Sequence, residues 1–392
     1  MADSGKTPIS FPGVVVQQIP SGNVTITGVA TSITAFVGRT LMGPSEPTHC
    51  KSFADFRRYF GGLAQGYPLS YAVADFFQNG GGDAIVVRVD SAVLTADDLL
   101  GSADARTGIH ALDSVDLFNL LCIPDQAEMD YPGVYPNAAL YCLKRRAMLI
   151  VDPPKAWSDL AGKDHIDQIR PDDLAINSPQ LEARNCAVYF PRIKKIDQET
   201  GGSAEVFAAC GAVAGIYATT DLNRGVWTAP AGTTAGVGGI AGLELNLTDA
   251  QNGMLNPLGI NCLRSFPVYG PVVWGARTLR GADLFADDYK YVPVRRLALY
   301  LEESLYRGTT FAVFEPNDEA LWSRLRLGIA AFMEGLERQG AFYGFQVTCD
   351  STTTTPDDIQ RGIVNILVAF APVKPAEFIV LQIEQQAGQV AS

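Results

Sequence analysis

The sequence predicts an α/β fold with a largely parallel sheet for about two-thirds of the chain, followed by an α+β arrangement in the last third. Strand–helix–strand segments recur up to residue 190, and parallel strands need such crossover helices between them. Two long helical patterns and alternating strands follow after residue 290. Strand-like segments at both ends predict extended arms.

The first predicted elements lie in residues 11–90. Residues 11–20 form a β-branched run between prolines, typical of a strand without a local partner. The next elements are strands over residues 24–28 and 32–38, a helix capped by Ser52, a helix over residues 69–78 behind Pro68, and a strand over residues 83–89. Residues 24–90 therefore predict a β–α–α–β unit.

The middle of the chain repeats this pattern. The predicted elements are strands over residues 118–124, 147–152 and 184–190, and helices over residues 137–146 and 206–219. Residues 221–262 are rich in Gly, Asn and Pro and predict a long irregular connection.

The last third contains the longest helices. The predicted elements are helices over residues 294–306 and from the cap Asn317 to Gly340, a strand over residues 345–350, a short helix that begins at Thr355, and strands over residues 363–371 and 375–385. Thr355 precedes a proline and two acids, which favour a helix start.

The amino-acid composition excludes some classes of function. With 47% hydrophobic and 18% charged residues among 392, the chain has apolar material for two or three domains. A net charge of −12 disfavours nucleic acid as a partner, because binding to phosphates needs Lys and Arg. No secretory signal is visible, and the longest apolar run, residues 363–373, is too short to span a membrane. We therefore expect synthesis in a cytoplasm and no membrane insertion.

The seven cysteines contain no CxxC pair and have no histidine at ligand spacing. This argues against a zinc site and a disulfide scaffold and predicts buried thiols. The odd number leaves open an intermolecular disulfide.

No catalytic motif is present. The three histidines lie far from any nucleophile motif, and GxSxG, HExxH and GxxxxGK[ST] are absent. Residues 236–241 match GxGxxA but follow a loop, so a flexible loop is the better interpretation. Asp125 and Asp152 follow parallel strands, where enzymes of this architecture place catalytic groups, but no third partner accompanies them. The sequence predicts no enzyme and no catalytic, metal-binding or cofactor-binding residue.

The sequence contains short motifs that follow one another in a particular order along nearly the whole chain, and together they resemble those of a known family. They include Pro12-Gly-Val-Val-Val, Ala35-Phe-Val-Gly-Arg, Gly43-Pro44, Asp75-Phe-Phe-Gln-Asn-Gly-Gly, Val86-Val-Arg-Val, Gly211-Ala-Val-Ala-Gly, Asn223-Arg-Gly-Val-Trp, Gly259-Ile-Asn, Val273-Trp-Gly-Ala-Arg-Thr, Val294-Arg-Arg-Leu, Phe314-Glu-Pro-Asn and Ala371-Pro-Val-Lys-Pro-Ala-Glu-Phe. In this order they resemble the tail sheath proteins of contractile phages, R-type pyocins and related injection systems. One departure is Ala208-Ala-Cys-Gly, where relatives often carry a Pro-Pro-Ser-Gly-like turn.

The resemblance implies a subunit that stacks in hexameric, helically arranged rings around an inner tail tube and contracts to drive the tube through a cell envelope. Implied partners are other copies of the chain, the tail tube protein, and baseplate and tail terminator proteins. The implied location is the tail of a virion or phage-like particle assembled in a bacterial cytoplasm. The implied layout is an arm over residues 1–23, an outer α/β domain over 24–270, an assembly domain over 271–375 and an arm over 376–392.

Two alternatives remain beside this interpretation. Another virion structural or binding module, such as a baseplate or fibre component, would also lack catalysis, but it would not form long hollow cylinders alone. An α/β hydrolase would need a serine and a histidine in a recognisable setting.

The chain ends supply the predicted subunit-linking residues. These are Val14, Val15, Val16, Gln17 and Ile19 in the N-terminal arm, and Glu377, Phe378, Ile379, Val380, Leu381 and Ile383 in the C-terminal arm. Lone strands are not stable in water, so each needs a sheet edge, which a neighbouring copy would supply. Such donation is heterologous and propagates into rings or open helices.

The predicted tube contact is the short helix after Thr355, with Asp357, Asp358, Gln360 and Arg361 displayed. A surface that must grip a tube and then release it should be polar, because exposed charge pairs are individually weak. The alternative is that this helix is an ordinary capped connector.

Overall fold

The structure is a computed structural model that describes residues 25–91, 93–124, 133–176, 180–197 and 201–378. The α-helices of this part of the chain are α1 (Phe53–Phe60), α2 (Pro68–Gln78), α3 (Ala96–Leu100), α4 (Val134–Lys144), α5 (Lys155–Gly162), α6 (Cys210–Arg224), α7 (Asp249–Leu255), α8 (Val292–Gly308), α9 (Glu319–Arg338) and α10 (Pro356–Gln360). The strands are β1 (Thr34–Gly38), β2 (Thr48–Cys50), β3 (Ala84–Arg88), β4 (Leu120–Cys122), β5 (Met148–Val151), β6 (Cys186–Phe190), β7 (Ile193–Asp197), β8 (Ser203–Phe207), β9 (Gly242–Leu243), β10 (Ile260–Phe266), β11 (Gly270–Trp274), β12 (Phe342–Thr348) and β13 (Leu367–Pro372).

An eight-stranded sheet in the order β11-β10-β6-β5-β4-β1-β3-β2 organises the larger part of the fold. Its interior strands all pair in parallel, and only the edge strands β2 and β11 are antiparallel to their neighbours. Crossover helices bring each parallel strand back in the same direction. The predicted α/β class with a largely parallel sheet is confirmed.

Apolar cores cover both faces of this sheet. In β1, Ala35 and Val37 face the core that contains Trp157, while Phe36 faces the opposite core with Phe76. Successive side chains of a strand point to opposite faces, so a strand covered on both sides is apolar throughout. This explains the uninterrupted apolar runs in the sequence.

Helices α2 and α6 approach each other closely at two glycines. A Cβ atom on Gly211 would lie 2.0 Å from the carbonyl oxygen of Ala72, and one on Gly215 would lie 2.5 Å from that of Phe76. Only glycine fits such a backbone approach. The Gly211-Ala-Val-Ala-Gly215 motif is therefore required for helix packing.

The last third forms a second α+β layer. Helix α9 packs its apolar side, including Met333 and Leu336, against Phe342 of the two-stranded sheet β12–β13. Helix α8 contributes Leu297 and Leu301 to this cluster and Val292 and Leu299 to the main core.

A buried ion pair joins the two layers. The Arg296 guanidinium on α8 donates to both carboxylate oxygens of Asp221 on α6, at 2.7 and 2.6 Å, and to the backbone oxygen of Thr31. Burial alone would lower the pKa of Arg296, but Asp221 outweighs it and holds the pKa above its ordinary value. Since a buried charge needs a paired partner, this contact fixes how α8 lies on the sheet.

Several predicted boundaries are wrong in the structure. Residues 25–28 form no strand, and β2 and the three-stranded sheet β8-β7-β9 were not predicted. The predicted helix over residues 206–219 starts at Cys210 and runs to Arg224, because Val206 and Phe207 belong to β8. Short or half-polar segments carry too little periodicity to be identified.

The predicted irregular connection over residues 221–262 contains the end of α6, β9, α7 and the start of β10. Its GxGxxA segment, residues 236–241, is a loop with an isolated β-bridge at Gly236. Val237 N donates to Pro271 O, and Val273 N donates to Ala235 O, so the segment lies along the backbone of β11. The predicted division at residue 270 cuts the β10–β11 hairpin, because residues 270–274 pair within the main sheet.

Other boundaries shift by a few residues. Helix α4 begins at Val134 rather than residue 137, since Pro136 is tolerated in a first turn. Asp318, not Asn317, caps α9 by accepting from Leu321 N, and Asn317 instead bonds Trp322 and Ile363. Residues 373–378 carry no strand, and the remainder of the predicted final strand lies outside the described residues. None of the described helices is long and apolar enough to cross a membrane.

Candidate assembly interface

Asp152 follows β5 at the position where an enzyme would keep a catalytic group, and it is fully enclosed. Its Oδ1 accepts from Ala209 N at 2.8 Å and from Cys210 N at 2.9 Å. These are donors at the start of α6, whose own N-cap, Ala209, has no capping side chain. Asp152 therefore caps α6 from a neighbouring strand, which compensates for the unusual Ala208-Ala-Cys-Gly211 sequence. Asp125 lies outside the described residues.

In the described part of the chain, no group of three or more His, Cys, Asp or Glu side chains could hold a metal ion. All seven cysteines are buried and without a disulfide. Burial raises the pKa of Cys50 to about 12, so this thiol is not a reactive thiolate at neutral pH.

The two-stranded sheet β12–β13 offers sheet edges. Its strands pair with each other from Phe342↔Pro372 to Thr348↔Leu367, and neither pairs with another strand of the described residues. Alternate residues of β13 are exposed, and Tyr343 is 77% exposed. A two-stranded sheet is marginal by itself and gains stability from an added strand. Within the described residues, both outer edges of this sheet are without a paired strand.

The root of the C-terminal arm is tied to the main layer by the arm anchor, which consists of Arg277, Asp283, Tyr291 and Glu377. Arg277 is 1% exposed, and its Nε and Nη2 donate to the two oxygens of Glu377 at 2.7 and 2.6 Å. Tyr291 Oη donates to Glu377 Oε2 at 3.2 Å, and Arg277 Nη1 donates to Asp283 Oδ1 at 3.0 Å. The paired fork geometry fixes the position of Glu377 against the main layer.

Within the arm anchor, the interactions of the Arg277 guanidinium with its partners offset the effect of its burial on its pKa. Burial alone would lower the pKa of Arg277, but the Glu377 carboxylate and its hydrogen bonds raise it above the ordinary value. Glu377 was predicted as an arm residue, whereas its partner Arg277 was missed. Arg277 lies in the Val273–Thr278 motif. It is the single arginine among small and apolar residues there, and this is the sequence feature that could have identified it as a buried charge in need of a partner.

The other predicted arm residues fall into two groups. Phe378 is 76% exposed directly after the arm anchor. The remaining arm residues lie outside the described part of the chain: Val14, Val15, Val16, Gln17, Ile19, Ile379, Val380, Leu381 and Ile383.

The short helix α10 begins after the predicted cap Thr355, and Thr355 and Asp358 form a capping box there. Asp358 accepts from the Thr355 hydroxyl and backbone N–H, and it also accepts from Asn365 Nδ2 at 3.1 Å. These hydrogen bonds hold the pKa of Asp358 below its ordinary value. Asp357, Gln360 and Arg361 are exposed. Asp358 thus acts within the fold, and the other three side chains face solvent.

These features define a structural class: an α/β body joined to an α+β layer whose two-stranded sheet has, among the described residues, no further paired strand. Two family matches agree with it. Residues 175–279 match the phage tail sheath protein central domain, and residues 286–386 match the phage tail sheath C-terminal domain. Together they span more than half of the chain. The protein belongs to the contractile tail sheath family.

The chain is also similar to individual sheath proteins. The chain is 33% identical over 170 residues to the tail sheath protein of Vibrio phage KVP40, a match that covers 43% of this chain and 24% of that protein. The matched segment therefore spans about a quarter of that relative. The helical sheath of the anti-feeding prophage in its contracted state is 29% identical, with a TM-score of 0.76, over 97% of this chain and 100% of that one. The contracted sheath of the PVC extracellular contractile injection system is 27% identical, with a TM-score of 0.73, over 97% and 99%.

Proposed function

We propose that this protein is the sheath subunit of a contractile tail or injection particle, polymerising as helically stacked rings around a tail tube and contracting to drive the tube through an envelope. The observation that carries the proposal is the full-length similarity to the helical sheath of the anti-feeding prophage. The unpaired edges of β12–β13 and the anchored C-terminal arm supply a physical means of linking copies. Partners proposed with it are the tube, baseplate and tail terminator proteins.

Electron microscopy of the purified protein tests this function. We expect hollow cylinders of regular diameter, because heterologous strand donation propagates from copy to copy. Monomers or closed dimers at high concentration would contradict the proposal and favour a baseplate or fibre component.

The proposed layout places the α/β body outside and the second layer with the arms inside. Support comes from where the linking elements lie: the sheet β12–β13 and the arm root belong to the last third of the chain. Because β11 pairs with β10 of the main sheet, we draw the proposed boundary between the layers after Trp274.

The exposed side of α10 is proposed as the tube contact. Because Asp358 is bound within the helix cap, the variant that tests the contact is Asp357→Lys with Arg361→Glu. We expect it to assemble into empty sheaths normally but to lose tube-filled extended particles, as individually weak charge pairs of about 0.2–1 kcal/mol are broken together. Particle counts in micrographs give the readout.

Asp104→Lys is the matched control, since Asp104 is an exposed acid in the proposed outer body. It should leave tube-filled particles unchanged. Extended particles of normal abundance and stability in the double variant would identify α10 as an ordinary connector.

A further inference from the structure

An exposed aromatic tip lies between α8 and α9. Phe314 is fully exposed and Val313 is 60% exposed; we call these two residues the tip. Phe314 has a φ of 70°, a left-handed conformation that bulky side chains rarely adopt. Such strain persists where the surrounding structure imposes it, and it concentrates at functional positions.

Contacts on both sides hold the tip in place. On one side, Val313 N donates to Thr310 O, and Glu315 N donates to Ala312 O. On the other side, Asn317 bonds the indole of Trp322 and the backbone of Ile363. The tip is therefore a rigidly presented apolar projection, the form that dominant interface side chains take.

A cleft of about 300 Å³ lies beside the arm anchor. Its walls include Ala231, Trp274, Ala276, Tyr291 and Phe378. Asn252 also lines it, and the buried Oδ1 of this side chain has no hydrogen-bond partner among the described residues. The cleft is mostly apolar, and its size suits one aromatic side chain with its neighbour.

The tip and the cleft lie at opposite ends of α8. Tyr291, which lines the cleft, immediately precedes the helix, and the tip follows its last residue, Gly308, by a few positions. At 1.5 Å per residue, 17 residues place these ends about 25 Å apart. A projection and a cleft at two separate places on one subunit can make a head-to-tail contact that repeats from copy to copy.

We propose that the tip of one subunit inserts into the cleft of the next, forming a second contact between copies besides the arms. This inference rests on the proposed sheath function. It places Phe314 against Trp274 and Tyr291 of the neighbouring copy and buries both Phe314, the most exposed large apolar side chain of the described residues, and Val313. It also couples the arm anchor to the neighbouring subunit, because Glu377 and Phe378 line the same cleft.

The test uses Phe314→Asn, since asparagine tolerates the left-handed conformation and leaves the loop intact. We expect an unchanged melting temperature of the monomer and a critical concentration for cylinder formation about tenfold higher or more, the effect of losing a central aromatic side chain. Leu222→Ala is the matched control: Leu222 is 84% exposed but lies on α6, so cylinders should form as in the wild type.

A photo-reactive benzoylphenylalanine in place of Phe314 identifies the partner directly. In assembled cylinders we expect cross-links to residues 229–232, 274–276 or 375–378 of another copy. Cross-links to the tube, or to any other surface, would overturn the proposal, as would normal assembly of Phe314→Asn. If wild-type protein forms no cylinders at all, the sheath function itself has failed, and this outcome is distinct because it does not depend on the tip.

Discussion

Deleting residues 1–20 should yield a folded monomer that no longer polymerises. The deleted segment contains the predicted linking residues Val14–Ile19 and lies before the first residues of the described fold. Six residues of added strand, at about 0.5–1.5 kcal/mol for each hydrogen bond, contribute several kcal/mol for each link. Because about 1.4 kcal/mol is a tenfold change in affinity, losing the arm raises the critical concentration by orders of magnitude.

Sedimentation and electron microscopy at matched concentrations measure this effect, and circular dichroism checks the fold. Val15→Pro gives a finer test because proline removes a backbone donor, whereas Val15→Thr keeps a β-branched residue and should assemble normally. Cylinders formed by the truncated protein would rule out the N-terminal arm as a link.

Replacing Glu377 with alanine should detach the root of the C-terminal arm. Arg277 would keep only Asp283 as a charged partner, and removing one member of a buried ion pair costs about 3–5 kcal/mol. In the variant we expect the arm root to detach, so that water reaches Arg277 and the loss of folding free energy is smaller than about 3–5 kcal/mol. We expect a large loss of assembly. A reduced yield of cylinders with a nearly unchanged melting temperature is the expected result.

Asp116→Ala is the control for Glu377→Ala. Asp116 pairs with Arg307 at 2.7 Å but is 83% exposed, and a surface pair of this kind contributes about 0.2–1 kcal/mol. It should assemble normally. The yield of cylinders separates the two variants, since only Glu377→Ala should lower it. Normal cylinders from Glu377→Ala would show that the arm anchor does not position the arm.

The order of short motifs along the sequence predicted the tail sheath family. The family matches over residues 175–279 and 286–386 confirm that prediction. Among the site residues, a local signal sufficed for the helix start at Thr355, where the structure forms a capping box. The tube-contact and arm assignments remain proposals.

The sequence by itself determined the elements whose cause is local or periodic. Ser52 caps α1 as predicted, Pro68 opens α2, and the apolar runs at β1 and β3 form buried parallel strands. These follow from hydrogen bonding within a few residues and from side-chain alternation. Contacts between distant residues were decided by the tertiary structure alone. Three contacts join segments that no local pattern connects. They are the cap that Asp152 provides for α6, the pairing of Arg277 with Glu377 across 100 residues, and the placement of residues 232–237 along β11. A buried charge or an orphan helix donor requires a partner, but its position in the sequence does not say which one, because folding alone brings the two together.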